Sequence, residues 1–130
     1  MKPLTTLLFI LLPCFVFGQQ KQCSCSSDTL MNAYTTDCAT TLLKNGAKLY
    51  WQFTCDAIWL TWESRAGRKK VIDSVPVELY GYTYRLGYHL AKEHATTIVL
   101  RGKCPANGPC SILILDKNTG RKIKEYELEH

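Results

Sequence analysis

The sequence predicts an all-β fold. It reads as a small antiparallel sandwich or flattened barrel of about seven strands, with a short N-terminal helix or irregular segment stapled on by disulfides. Three observations predict it. The stretch 49–63, LYWQFTCDAIWLTWE, holds all three tryptophans and alternates apolar with polar side chains on either side of a short interruption. Two later stretches, TTIVLR and SILILD, are short and rich in β-branched residues, the types that suit a pleated, half-buried surface. Six of the cysteines lie beyond the N-terminal apolar segment, an even number that in a small exported domain reads as a disulfide framework.

The first 18 residues read as a secretory signal peptide. Lys2 supplies a positive start, Leu4 to Phe17 is an almost unbroken apolar run, and Gly18-Gln19-Gln20 closes it with a small residue and polar groups. The run is too short and too abruptly ended for a membrane span. Cleavage after Gly18 or Gln19 is expected to release a protein without a transmembrane segment into the periplasm or extracellular space. Cys14 leaves with the signal, and Cys23, Cys25, Cys38, Cys55, Cys104 and Cys110 remain. Cys104 and Cys110 flank Pro105-Ala106-Asn107-Gly108-Pro109, a turn-rich loop that brings them together. Cys23 and Cys25 are too close in sequence to bridge each other. Each is expected to reach Cys38 or Cys55 and so tie the N-terminal segment to the tryptophan hairpin.

A chain of 130 residues with 46% hydrophobic and 21% charged residues is one globular domain, not a disordered chain. Beyond the signal, residues 19–46 form a Cys/Thr-rich segment and 47–130 the antiparallel β domain. Loss of Lys2 leaves 15 of the 16 basic residues against 11 acidic ones, a net of +4. So mild an excess favours solubility and does not point to nucleic acid.

In chain order, Ser27-Asp28 looks like a helix cap, and Leu30, Met31, Tyr34 and Cys38 follow at helical spacing, which predicts a short helix over 29–34. Asn45-Gly46 is a turn. In the hairpin, Leu49, Trp51 and Phe53 fall on one side and Tyr50, Gln52 and Thr54 on the other. Ile58, Leu60 and Trp62 then oppose Ala57, Trp59 and Thr61. Cys55-Asp56 makes either a tight connection, the preferred reading, or a bulge within one long strand. Residues 64–68 form a polar turn, and Lys69 to Asp73 a short strand. Pro76 breaks the pattern. Val77 to Tyr84 alternates again and reads as a strand with Tyr80, Tyr82 and Tyr84 on one face. Leu90 to Ala95 reads as a loop or a single helical turn. Thr96 to Arg101 is a buried strand and Ser111 to Asp116 a central one. Lys117 to Gly120 is a hairpin loop with Gly120 in its left-handed position. Arg121 to Glu129 returns as an edge strand whose charges oppose edge-to-edge pairing.

The motifs of common catalytic sites are missing: no phosphate-cradling glycine loop, no nucleophile elbow and no His-Glu-x-x-His. The five-residue spacing of His89 and His94 sets them on opposite faces of a strand and on no common helix face. A zinc site built from Cys23, Cys25 and a histidine competes with disulfides, which an exported chain favours. No cofactor and no metal are expected. The carboxylates Asp56, Glu63, Asp73, Glu78, Glu93 and Asp116 are scattered.

The expected function is non-catalytic binding of a protein or glycan partner in the cell envelope or extracellular space. The candidate surface is the Tyr80, Tyr82 and Tyr84 face with Arg85, since tyrosine rings give contact area at low entropy cost and carry a polar tip. The basic turn Arg65, Arg68, Lys69 and Lys70 is its second part, suited to an anion or polysaccharide. An inhibitor or immunity-type protein against a secreted hydrolase is the alternative, with the Cys104–Cys110 loop plugging the target. A small hydrolase, built on a facing carboxylate pair, is the third reading.

Two local resemblances accompany these readings. Phe53-Thr54-Cys55-Asp56 followed by an alternating strand resembles the opening of the small periplasmic inhibitors of c-type lysozyme. That resemblance implies a β-barrel domain with disulfides. The Ser-Gly-x-x-Tyr loop of those inhibitors has no match, and the nearest stretch, Leu79-Tyr80-Gly81-Tyr82, lacks the serine. The last hairpin, ILILDKNTGRKIKEYE, resembles the outer hairpin of a β-propeller blade, but it occurs once and no internal repeat accompanies it.

Overall fold

Alternation becomes pairing in two meanders. The computed structural model describes residues 22–35 and 38–128, so the expected signal peptide lies outside the described residues. The elements are α1 (Thr29–Tyr34), β1 (Thr41–Leu42), β2 (Lys48–Phe53), β3 (Ile58–Glu63), β4 (Lys69–Val75), a 3₁₀ helix (Val77–Tyr82), α2 (Thr83–Leu86), β5 (His89–Glu93), β6 (Thr97–Gly102), β7 (Ser111–Asp116) and β8 (Lys122–Glu127). They build two four-stranded antiparallel sheets, ordered β1-β2-β3-β4 and β5-β6-β7-β8. Eight strands stand among the described residues, close to the number of about seven that the sequence suggested.

β2 and β3 pair with Trp51 opposite Leu60 and Gln52 opposite Trp59. Thr54 N donates to Ala57 O at 2.9 Å, so Cys55-Asp56 is the tip of a tight turn and not a bulge. Leu49, Trp51, Phe53, Ile58, Leu60 and Trp62 are all buried in one apolar cluster. Ile98, Leu100, Leu113 and Leu115 of the second sheet enter the same cluster, so the two sheets share a core. Each such side chain contributes roughly 1.5–3 kcal/mol when fully buried.

The N-terminal segment is fastened to this hairpin. Asp28 caps α1, its carboxylate accepting from Leu30 N at 3.1 Å and Met31 N at 3.2 Å. Asn32 returns to Cys25, accepting from its N–H and donating to its carbonyl, both at 2.8 Å. Cys23 bridges to Cys38, Cys25 to Cys55 and Cys104 to Cys110. Cys25–Cys55 therefore ties the start of the segment to the tip of the β2–β3 turn. Three disulfides belong to an oxidising, non-cytoplasmic environment. No helix among the described residues is long and apolar enough to cross a membrane.

Two expected elements need correction. Val77 to Tyr84 is not a strand but the 3₁₀ helix running into α2. The alternation of tyrosines concealed a three-residue period: Val77, Tyr80 and Leu86 pack against the core and Thr83 is buried, the spacing of a 3₁₀ turn. Pro76 stands at the helix start, where its carbonyl accepts from Leu79 N at 2.9 Å, and its missing N–H costs nothing there. The segment carries the chain from the edge of one sheet to the edge of the other, and tertiary context overrides the β preference of its residues. Leu90 to Ala95 is likewise not a loop, since β5 covers His89–Glu93. A bulge between Leu90 and Lys92 breaks its period and hides it.

Candidate binding site

The sequence neighbours of the inward-facing Trp51, Leu60 and Trp62 must point the other way. Across β2 and β3, Gln52 lies opposite Trp59, Tyr50 opposite Thr61 and Lys48 opposite Glu63. Onward to β4, Thr61 lies opposite Val71 and Glu63 opposite Lys69. These rows form the outer face of the first sheet. Tyr50, Gln52 and Thr61 are buried there, and each polar tip has a partner, as burial requires. The Tyr50 hydroxyl donates to Glu63 at 2.7 Å. Gln52 donates to the Thr61 hydroxyl at 3.1 Å and accepts from Gln22 N at 2.9 Å. Lys48 and Lys69 also reach Glu63, at 3.9 and 3.8 Å. Burial and the adjacent Glu63 carboxylate push the Tyr50 hydroxyl well above the ordinary tyrosine value.

A hollow of about 500 Å³ opens over these rows. Trp59 and Val71 give it apolar surface, Gln22, Gln52 and Thr61 give it amides and a hydroxyl, and Lys69 and Lys70 give it positive charge. One amide hydrogen of Gln52 and the hydroxyl hydrogen of Thr61 stay available for a ligand.

The sequence candidates fall elsewhere in part. Tyr82 and Tyr84 are exposed at 47% and 70%, whereas Tyr80 packs against the core. The three therefore share no face. Arg85 places its guanidinium 5.2 Å from the centre of the Tyr82 ring, within cation–π range. The basic turn lies at the other end of β4, whose seven residues span about 20 Å. The tyrosines and the basic turn thus do not form one surface. Within the turn, Lys69 and Lys70 line the large hollow. Arg65 and Arg68 line a separate one of about 200 Å³ with Trp62, Asn45 and Asn118. Gln52, Trp59 and Thr61 were readable as one strand face, but nothing in the alternation marked that face as the one left open.

Several carboxylates are occupied. Asp73 pairs with Lys103 at 2.7 Å. Glu93 pairs with the buried Lys117 and accepts from Lys44 N at 2.7 Å, and Glu125 accepts from Tyr88 at 2.8 Å. No Asp or Glu lines the hollow over the first sheet or the one beside Arg65 and Arg68. Among those residues no group of three His, Cys, Asp or Glu side chains could hold a metal ion. His89 instead sits 5.8 Å from the Trp51 ring, with Nε2 3.1 Å from the Thr83 carbonyl.

Compared with protein-family models, curated proteins and solved structures, the chain matches none. The likeness to the lysozyme inhibitors rests on Phe53–Asp56 and the alternating strand that follows, and on nothing else in the chain.

Proposed function

We propose that the chain is an exported, non-catalytic binding module and that its ligand is an acidic glycan held on the outer face of the first sheet. The observation that carries this reading is the hollow in which Trp59 stands beside Gln52, Thr61, Lys69 and Lys70. An indole offers its face to the apolar side of a sugar ring. Amide and hydroxyl groups pair with sugar hydroxyls, and two lysines meet a carboxylate or sulfate. The volume lies in the range of small-ligand sites. The sheet that bears these side chains is fixed by the shared core and by Cys25–Cys55, which limits the ordering cost of binding. Export is supported by the three disulfides and the apolar N-terminus.

A glycan array carrying neutral, uronic and sulfated oligosaccharides tests the reading. Acidic glycans should be retained and neutral ones of the same backbone should not. Trp59→Ala and the double change Lys69→Gln/Lys70→Gln should each abolish retention. Retention unaffected by either change, or equal retention of neutral glycans, contradicts it.

The inhibitor alternative keeps one supporting feature. Residues 105–107 are exposed at the tip of the Cys104–Cys110 loop, which presents a crosslinked projection. Capture of a single enzyme from a panel of secreted hydrolases, lost on Asn107→Arg, would favour it. The hollow over the first sheet holds no carboxylate pair of the kind a small hydrolase would need.

A further inference from the structure

One end of the molecule gathers positive charge that the glycan reading does not use. The turns 43–47, 64–68 and 117–121 meet there, joined by Asn45 Nδ2 donating to the Lys117 carbonyl at 3.0 Å and to Asn118 Oδ1 at 3.1 Å. Arg65, Arg68 and Arg121 lie in these turns without a carboxylate partner among the described residues. The carboxylates nearby are already engaged: Glu63 by Tyr50 and two lysines, Glu93 by Lys117, and Asp116 by the N–H groups of Asn118 and Thr119 at 2.8 and 3.1 Å.

The three turns enclose the hollow of about 200 Å³ lined by Arg65, Arg68, Trp62, Ser64, Asn45 and Asn118. Its polar groups are unbalanced towards donors. The side-chain oxygens of Asn45 and Ser64 accept from Ala47 N and Arg68 N, and that of Asn118 accepts from Asn45. Among the described residues, no carboxylate pairs with the two guanidiniums. Trp62 lines the hollow and is 2% exposed, and among the described residues its buried Nε1 has no hydrogen-bond partner.

The hollow is held in shape by two glycines in the left-handed region. Gly46 has φ +86°, and a Cβ there would sit 2.9 Å from Arg65 Cδ. Gly120 has φ +71°, and a Cβ there would sit 2.6 Å from Trp62 Cε3. Each glycine leaves the space that one lining side chain occupies.

We propose that this hollow binds a tetrahedral oxyanion, the phosphate or sulfate group of an ester. Two guanidiniums match such a group with paired N–H bonds, and no carboxylate opposes it. The inference is independent of the glycan hollow.

Titration of ¹⁵N-labelled protein with methyl phosphate and methyl sulfate, against sodium chloride at matched ionic strength, tests it. Either ester should produce saturable shifts in the Trp62 indole resonance and in the amides of Ser64 to Arg68, while chloride should not. The tighter of the two names the source of the oxyanion. Arg65→Gln and Arg68→Gln should each weaken binding at least tenfold without moving the melting temperature, whereas the equal loss of charge in Lys124→Gln should leave it within twofold. Shifts that follow ionic strength without saturating, or saturation that survives Arg65→Gln/Arg68→Gln, would overturn the proposal.

Discussion

The hydroxyl of Tyr88 donates to the carboxylate of Glu125 at 2.8 Å, joining the approach to β5 to the edge strand β8. The same residue reaches the first sheet twice. Its carbonyl accepts from Trp51 Nε1 at 3.0 Å and its N–H donates to Asp73 at 3.1 Å. Lys103 pairs with Asp73 and stands 5.6 Å from the Tyr88 ring centre. Gly102 lies beneath, where a Cβ would come within 2.7 Å of Tyr88 Cα. Tyr88→Phe should therefore cost about 1 kcal/mol, the net worth of one hydrogen bond. Tyr88→Ala, which also empties its site in the core, should cost roughly 3–5 kcal/mol. Urea denaturation of both variants checks this, and equal losses would mean that the ring carries none of the packing.

Stability should fall at both extremes of pH. The Glu93 carboxyl is held below its ordinary value by its hydrogen bond from Lys117 and then by Lys44 N, and that of Glu125 by the Tyr88 hydroxyl. A depressed carboxyl contributes above the unfolded value, about 4.3 for glutamate. That contribution is lost as pH falls through the folded value. Melting temperature should thus drop below about pH 4.3, and Glu93→Gln should flatten that acid limb while lowering stability at pH 7 by leaving the buried Lys117 without its carboxylate, held by the His94 carbonyl. The Tyr50 and Tyr88 hydroxyls are pushed up, first by burial and then by Glu63 and Glu125. Their contribution is present below the unfolded tyrosine value, about 10, and is lost as pH rises through the folded one. Tyr50→Phe should flatten the alkaline limb.

The three disulfides should rank by the chain they enclose. Their sequence separations are 30 for Cys25–Cys55, 15 for Cys23–Cys38 and 6 for Cys104–Cys110. The chain-entropy model then gives roughly 3.7, 3.1 and 2.4 kcal/mol. Paired Cys→Ser variants followed by denaturation measure the order. Removal of Cys25–Cys55 should be the most damaging, because it also frees the tip of the β2–β3 turn.

The helical tyrosines should separate by burial. Tyr84→Ala should change stability by no more than about 0.5 kcal/mol, as exposed sites do. Tyr80→Ala should cost roughly 2 kcal/mol, because part of the core loses its cover. Thermal denaturation distinguishes them. Equal effects would restore the single tyrosine face that the alternation suggested.

Much of this fold was legible because several signals agreed at once. Asp28, Asn45-Gly46 and Lys117–Gly120 are local devices whose chemistry requires a cap or a turn wherever they occur. The hairpin 49–63 was legible because its period and its residue types point the same way. Tyr80, Tyr82 and Tyr84 misled because a period of two and a period of three overlap over so few residues, and only the packing of Val77, Tyr80 and Leu86 against the core chose between them. β5 escaped because one bulge erased its alternation. In the site, the positive charge of Lys69 and Lys70 was visible in the turn. Their closeness to Trp59 and Gln52 was not, since it depends on the register of β3 against β4 and on the bulge between Leu60 and Thr61.

We propose that the working part of this protein is the open outer face of the first sheet. Titration of ¹⁵N-labelled protein with a sulfated or uronic oligosaccharide maps that part directly. Saturable shifts should concentrate at Gln52, Trp59, Thr61, Lys69 and Lys70. Shifts concentrated instead on Tyr82, Tyr84 and Arg85, or on the Cys104–Cys110 loop, would contradict it.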